Sequence, residues 1–403
     1  MTEQALNDAR PAALKITLLA ASTLTVMAGI TVAPALPLMH DQFREVAGAD
    51  LLTRLVLTVP SLFIAIAAPL AGVVVDRLGR RPILIAATVV YVVAGISGLF
   101  FESLTAILAG RALLGMAAGA IITTAITLIG DYFSGEARER MMGLQAASMA
   151  LGGVVYLAVG GLFADFGWRA PFAIYFAPLA LLPLMVSAVP EPTGETPGAE
   201  GGRGAETPGA PLRGFVAFIV LLAMINMIAY YMVPVQLPFL LRELGTETAS
   251  LAGLALAVAT LVGAVVSSQY ARLKARLSHP AVFALGFTVM GLGFALVAAA
   301  TSYGFVIAAM AVVGVGMGAA LPNYSVWVVG RAPLAVRGRV IGGVITAFFL
   351  GQFLSPLVAQ PLVDRFSIAG AYGMAAVALL VLAAGFIVAV VLRRRPSPEG
   401  PAP

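Results

Sequence analysis

Gly72–Pro82 reads GVVVDRLGRRP and lies between two apolar runs, residues 52–75 and 82–101. Asp76, Arg77, Arg80 and Arg81 crowd the point where one helix ends, the chain turns at Gly79, and Pro82 opens the next helix. Each flanking run is about the 20 residues a helix needs to cross a bilayer core. Working outward by the same rule gives twelve such runs, near 14–38, 52–75, 82–101, 104–130, 141–163, 170–189, 215–241, 249–271, 280–300, 304–330, 340–362 and 368–392. The composition agrees. Of 403 residues 60% are hydrophobic and 11% charged, against about 25% charged in soluble domains. Such a chain cannot hide its apolar surface in a soluble core, so lipid must solvate it. The expected fold class is an all-α membrane protein of twelve transmembrane helices. With no cysteine, disulfides, thiolate nucleophiles and iron–sulfur clusters are excluded.

Lysine and arginine set the expected orientation. With both termini in the cytoplasm, Arg10, Lys15, Arg77, Arg80, Arg81, Arg138, Arg140, Arg203, Arg213, Arg272, Lys274, Arg276, Arg331, Arg337, Arg339 and Arg393–Arg395 fall inside. Only Arg44, Arg54, Arg169, Arg242 and Arg365 fall outside, and Arg111 alone falls within a span. That is the positive-inside bias, so the net charge of +5 is a topology signal. A basic nucleic-acid-binding domain is absent. The leader MTEQALNDAR is too polar, and the run after it too long, for a cleaved signal peptide.

Residues 190–213, PEPTGETPGAEGGRGAETPGAPLR, are rich in Gly, Pro and Glu and repeat ETPGA. They predict a disordered cytoplasmic linker. The expected organisation is 1–189 as an N-terminal six-helix bundle, 190–213 as linker, 214–392 as a C-terminal six-helix bundle, and 393–403 as a cytoplasmic tail. A shift of 199 residues brings the halves into register: Gly115 and Gly119 fall on Gly314 and Gly318, Arg138, Arg140 and Gly143 on Arg337, Arg339 and Gly342, Gly152 on Gly351, and Asp165 on Asp364. A shared offset across separate features points to duplicated halves, which in carriers rock about a midplane site.

The loop GVVVDRLGRRP resembles the signature between helices two and three of the major facilitator superfamily, matching at Gly72, Asp76, Arg77, Gly79, Arg80 and Arg81. The resemblance extends over the whole chain, and with Asp131 these residues are expected to form a conformational switch. It implies that Asp76 meets the second half in the outward-facing state and locks the cytoplasmic side shut. The second-half counterpart, SSQYARLKARLSHP at 267–280, keeps the bases and the proline but no acid.

Arg111, in the run Arg111-Ala-Leu-Leu-Gly115, resembles the family's fourth-helix motif, whose arginine is implicated in proton coupling. A charge there costs at least ~2.5–3.5 kcal/mol, so it faces a partner or cavity, or snorkels to the outer headgroups. In the fifth span Gly143, Gly152, Gly160 and Gly161 are similar to the drug:proton antiporter pattern, with Tyr156 and Leu157 where that pattern has Gly-Pro. Gly-Trp168-Arg169-Ala-Pro-Phe172 also resembles the drug-efflux branch. All nineteen acids fall in loops or at helix ends. The proton is then expected at the rim carboxylates Asp41, Asp76, Asp131, Asp165 or Asp364, or Arg111 sets coupling indirectly, or the substrate carries it. Arg111 as a lone intramembrane cation argues for neutral or anionic cargo.

Polar and aromatic groups in helices expected to line the cavity are candidate substrate residues: Thr31, Thr123, Thr124, Thr127, Tyr156, Asn226, Tyr230, Tyr231, Gln236, Asn323, Tyr324 and Gln352. The alternative is that each only bonds a neighbouring helix. Two histidines, His40 and His279, and the lack of a phosphate-binding loop leave no enzyme site, cofactor or metal centre. The expectation is a monomeric, proton-driven exporter of small amphiphilic compounds in a bacterial inner membrane, with protons and a small-molecule substrate as its partners. Import or facilitated passage of a small organic anion or neutral metabolite is the alternative.

Overall fold

The computed structural model describes residues 12–191 and 210–394. The leader, most of the expected linker and the end of the tail lie outside them. Among the described residues there are helices and turns and no strand. The apolar helices are α1 (Ala12–Phe43), α2 (Ala49–Leu78), α3 (Arg80–Phe100), α4 (Leu104–Tyr132), α5 (Gly135–Ala164), α6 (Ala170–Ala188), α7 (Leu212–Glu243), α8 (Ala249–Ser268), α9 (His279–Ala298) and α10 (Tyr303–Val329). The helical run Leu334–Arg394 breaks at Ser367, whose φ of 71° is non-helical, and its two arms are α11 and α12. Twelve spans therefore hold. Two boundaries shift from the sequence reading. Helical backbone already begins at Ala210, inside the expected linker. α2 starts at Ala49, before the predicted 52, because Gly48 in the left-handed region ends the preceding turn.

The internal repeat becomes a repeat of contacts. On α4, a methyl at Gly115 would run into the backbone of Pro60, and one at Gly119 would come within 3.3 Å of Ile64 Cα, both on α2. On α10, Gly314 and Gly318 meet Ala259 and Gly263 of α8. Pro60 and Ile64 are themselves 199 residues before Ala259 and Gly263. The same shift relates Tyr156 to Ser355: Tyr156 bonds Thr23 of α1 at 2.7 Å, and Ser355 donates to the Ile228 carbonyl of α7 at 2.8 Å. Small residues let these backbones approach where lipid supplies no hydrophobic drive between helices.

By compactness the described chain divides into two units, one running to Ala257 with Ala332–Pro361, the other Val258–Arg331 with the residues from Leu362. The first packs an aromatic group of Tyr91, Phe172 and Tyr175, with Trp168 set edge-on between Phe43 and Phe172. The second is centred on Phe283, which touches Phe287, Tyr324, Trp327 and Phe386.

Candidate gating and cargo site

At one end of the first unit lies the α2–α3 turn. Gly79 has φ of 90°, a conformation that favours glycine, and this turns the chain so that Arg80 and Arg81 begin α3. Their exposed backbone N–H groups would otherwise be orphans of the helix start. Glu191, just beyond α6, accepts both, at 2.7 Å from Arg80 N and 2.8 Å from Arg81 N. A Cβ at Gly79 would lie 2.8 Å from that carboxylate. Arg80 reaches Asp131 on α4 at 3.2 Å and Asp76 at 3.7 Å. Arg81 donates to the Val186 carbonyl and Tyr132 to that of Pro190. Asp76 is 71% exposed, Arg77 is exposed, and Gly72 has open space beside it. Sequence reading missed Glu191, although an acid directly after the sixth apolar run was its visible signal.

The opposite end of the same unit joins α1, α2 and α5 to α7 and α8. Asp41 pairs with Arg242 at 2.6 Å. Asp165 accepts from Ser250 N at 3.0 Å, placing a carboxylate on the positive first turn of α8. A methyl at Gly161 would come within 2.9 Å of Ser250 Cα and 3.2 Å of Gly253 Cα, and one at Gly160 would collide with the Thr31 carbonyl. Gly143, by contrast, has open space. Thus Gly160 and Gly161 permit a close seam of α5 with α1 and α8, while Tyr156 holds α5 to α1 where the antiporter pattern carries Gly-Pro.

Arg54 corrects the expectation that Arg111 is the only charge within a span. It lies in the second turn of α2 at 3% exposure. Its Nε donates to Gln236 Oε1 at 3.0 Å and its Nη1 to the Asp50 carbonyl at 2.7 Å, and its guanidinium sits 4.1 Å over the Phe239 ring. His40 contacts Asp50 at 3.0 Å. Hydropathy placed Arg54 outside because it sits in the first residues of the run 52–75, close to Asp50. Helix periodicity was the missed signal, since Arg54, Thr58 and Ser61 share one face of α2.

Arg111 does not snorkel. It is fully buried, donating to Val56 O at 2.9 Å, to Tyr175 Oη at 2.7 Å and to the Ala28 carbonyl. Its charge is met by backbone dipoles of α1 and α2 and a hydroxyl on α6. Removing it would leave those acceptors buried without donors, a loss of about 3–5 kcal/mol.

The candidate substrate residues divide. Thr31, Thr124 and Thr127 bond carbonyls of their own helices, and Thr123 bonds Ala68 O of α2 at 3.2 Å. Asn323 is engaged by Tyr270 and His279, each at 2.8 Å, and donates to His279 O at 3.0 Å. It thereby ties the short helix Tyr270–Arg276 to α9 and α10 in the second unit. Burial pushes the Tyr270 hydroxyl up to about 12, so it stays a donor. Tyr324 is buried against Phe283 at 4.7 Å. The first unit brings together the rest. Asn226 and Tyr230 stand one turn apart on α7, Tyr231 donates to Gly29 O at 3.2 Å, Gln236 is held by Arg54, and Gln352 of α11 accepts from Ser61 of α2 at 2.8 Å.

Twelve apolar spans, a charged turn on one side and cross-helix ties on the other define a membrane carrier. Residues 18–277 and 219–403 match the Major Facilitator Superfamily, and the chain belongs to it. Over 309 residues it is 28% identical to the "Tetracycline resistance protein, class D" of Salmonella ordonez, covering 72% of this chain and 74% of that protein. Over 128 residues it is 29% identical to the "Niacin transporter NiaP" of Acinetobacter baylyi, which is 32% of this chain and only 29% of that relative's length. Among solved structures, a bacterial homolog of the human lysosomal transporter Spinster gives a TM-score of 0.74 at 17% identity, covering 96% of this chain and 98% of that one. The D-xylose-proton symporter gives 0.73 at 15% identity, covering 93% and 96%. The family and these neighbours are transporters, not enzymes.

Proposed function

We propose that this chain is a proton-driven exporter of small amphiphilic compounds that works by alternating access between two six-helix halves. It would act as a monomer in a bacterial inner membrane with both termini cytoplasmic, which makes the α2–α3 turn the cytoplasmic end and the Asp165 end the outer one. The observation that carries the reading is the α5 seam: Gly160 and Gly161 close on α1 and α8, and Asp165 caps α8, while Asp76 at the other end stands exposed. A path sealed outside with its cytoplasmic lock released suits a carrier waiting to load from within. Similarity over most of the chain to a tetracycline resistance protein supports export.

In this reading Asp76, Arg80, Arg81 and Asp131 form the cytoplasmic switch. Asn226, Tyr230, Tyr231, Gln236 and Gln352 offer a polar stripe to cargo. Asp41 and Asp165 tie α1 and α5 to Arg242 and to the first turn of α8, which makes them the rim carboxylates that proton coupling would use. Arg111 pins α1, α2 and α6 together beneath it. A second reading, import or facilitated passage of an organic anion or neutral metabolite, is favoured by Tyr156 and Leu157 in place of Gly-Pro.

The test is reconstitution into liposomes with an internal pH dye, an imposed proton gradient and a panel of amphiphiles. Export predicts compound-dependent proton movement against the compound's flux. Movement of both in one direction gives import, and counterflow without proton movement gives a facilitator.

A further inference from the structure

Among the described residues, the two charged ones that are buried, Arg54 and Arg111, are both cations. Arg111 is enclosed by protein groups and out of reach of cargo. Arg54 is different. Its acidic neighbour Asp50 lies 3.8 Å away with a side chain 66% exposed and is shared with His40 at 3.0 Å, and Glu243 at the end of α7 also interacts with the charge of Arg54. On the inward side Arg54 meets Gln236 and Phe239 of α7.

The geometry around Gln236 then becomes specific. Because Arg54 can only donate, it must take the Oε1 end of the amide, and this turns the Nε2 end away. Gln236 is fully buried, and its Nε2 has no hydrogen-bond partner. A buried donor without an acceptor costs about 1–3 kcal/mol, so this corner lacks an acceptor beside an arginine and an aromatic face. A carboxylate supplies that acceptor, and its second oxygen can replace Gln236 on Arg54, whose planar fork matches an acid group. The Phe239 ring offers the apolar body of such a molecule a surface.

We propose that Arg54, Gln236 and Phe239 form an anion-recognition site at the outer end of the path, and that the cargo is an amphiphile carrying an acid group. The inference rests on the transport reading and names its substrate class. A cargo anion travelling outward along α7 competes with Gln236 for Arg54 and so breaks the tie that joins α2 to α7. A cation has no means to do this, and arrives instead beside a buried positive charge.

The test uses three probes of one shape and different charge: 2-naphthoate, 2-naphthamide and N-methylquinolinium. Each is titrated against the purified full-length protein in nanodiscs, with affinity read from the shift in melting temperature. Naphthoate is expected to bind about tenfold more tightly than naphthamide, and the quinolinium more weakly than either. Arg54→Gln is expected to abolish that order by lowering naphthoate affinity far more than naphthamide affinity, and Arg54→Lys to restore part of it. Gln236→Ala is expected to reduce naphthoate affinity while destabilising the protein, because Arg54 Nε loses its acceptor, and Arg54→Lys, which keeps the charge, covers the case in which Arg54→Gln fails to fold. Equal or tighter binding of the quinolinium, no binding of naphthoate, or an unchanged order in Arg54→Gln and Gln236→Ala would overturn the site. Proton-coupled export of the quinolinium in the liposome assay would do so while leaving the exporter reading intact. Naphthoate exchange without proton movement would remove the exporter reading and keep the site.

Discussion

The two ends of the first unit use charge in opposite ways. At the Asp76 end, the bonds of Arg80 to Asp131 and of Glu191 to Arg80 and Arg81 stay within α2, α3, α4 and the chain just after α6. At the Asp165 end, Asp41–Arg242, Asp165–Ser250 and Arg54–Gln236 run from α1, α5 and α2 to α7 and α8, across the internal repeat. One end is a preformed turn whose acid is exposed. The other is engaged with the second set of helices. A carrier needs this inequality, because two ends held equally would leave no bias to reverse.

The hardest way to break the comparison is to remove what both ends share. Arg111→Ala deletes the bonds to Val56, Tyr175 and Ala28. It should destabilise the protein by about 3–5 kcal/mol and abolish transport, read as a large fall in melting temperature in detergent. Arg111→Lys should recover only part of this, since an ammonium cannot fork to three acceptors set by a guanidinium. A melting temperature equal to wild type in both would mean that the three bonds are replaceable by lipid or water.

Next in size is the α5 seam. Gly160→Val places a branched side chain against the Thr31 backbone, which cannot retreat as a flexible side chain would. Overpacking of this kind costs about 1–3 kcal/mol and should fall on the closed outer end alone. The sequence has no cysteine, so a single Met39→Cys, at a fully buried position near the Asp41 end of α1, reports opening by reaction with an impermeant maleimide. Labelling should rise severalfold in Gly160→Val. The matching change at Gly143, which has open space, should leave it unaltered.

Asp165→Ala is a finer probe of the same end. It removes a charged acceptor from the first turn of α8, a contribution of about 0.5–2 kcal/mol. Met39→Cys should again label faster, and Asp165→Asn, which keeps the shape and removes the charge, should label as Asp165→Ala does. Wild-type labelling in Asp165→Asn would show that the carboxylate acts by packing and not by charge.

How much of this was legible beforehand depends on the kind of signal. Twelve spans and the repeat were, because lipid imposes length and apolarity on every helix, and duplication preserves spacing. The contacts of Gly115 and Gly314 follow from that register. Residue roles were less legible. Thr31 and Thr127 are polar and in the expected helices, yet each satisfies its own backbone, a choice that sequence does not reveal. Asn323 looked like a cargo group and is engaged by Tyr270 and His279, partners more than forty residues away. Arg54 was set aside as a loop charge because hydropathy averages over a window, whereas burial is decided by which helix covers one face. Glu191 lay in a segment read as linker, and only the turn at Gly79 brings the α3 amides to it.

The smallest structural effect belongs to Asp76→Asn, and it sharpens the comparison most. With its side chain 71% exposed and Arg80 at 3.7 Å, the substitution should change stability by less than about 0.5 kcal/mol. If Asp76 serves only as an anchor in the basic turn, transport should be equally indifferent. If it is the lock that closes the cytoplasmic end, its charge matters only in the conformation with that end shut. Transport should then fall at least tenfold at wild-type melting temperature, and Met39→Cys labelling should fall too, because the outward-open state has lost a bond that the inward state never had. Asp165→Ala and Asp76→Asn should therefore move the same reporter in opposite directions. Combining them should return labelling toward wild type without returning transport, since balance between the two ends is restored while both latches are gone.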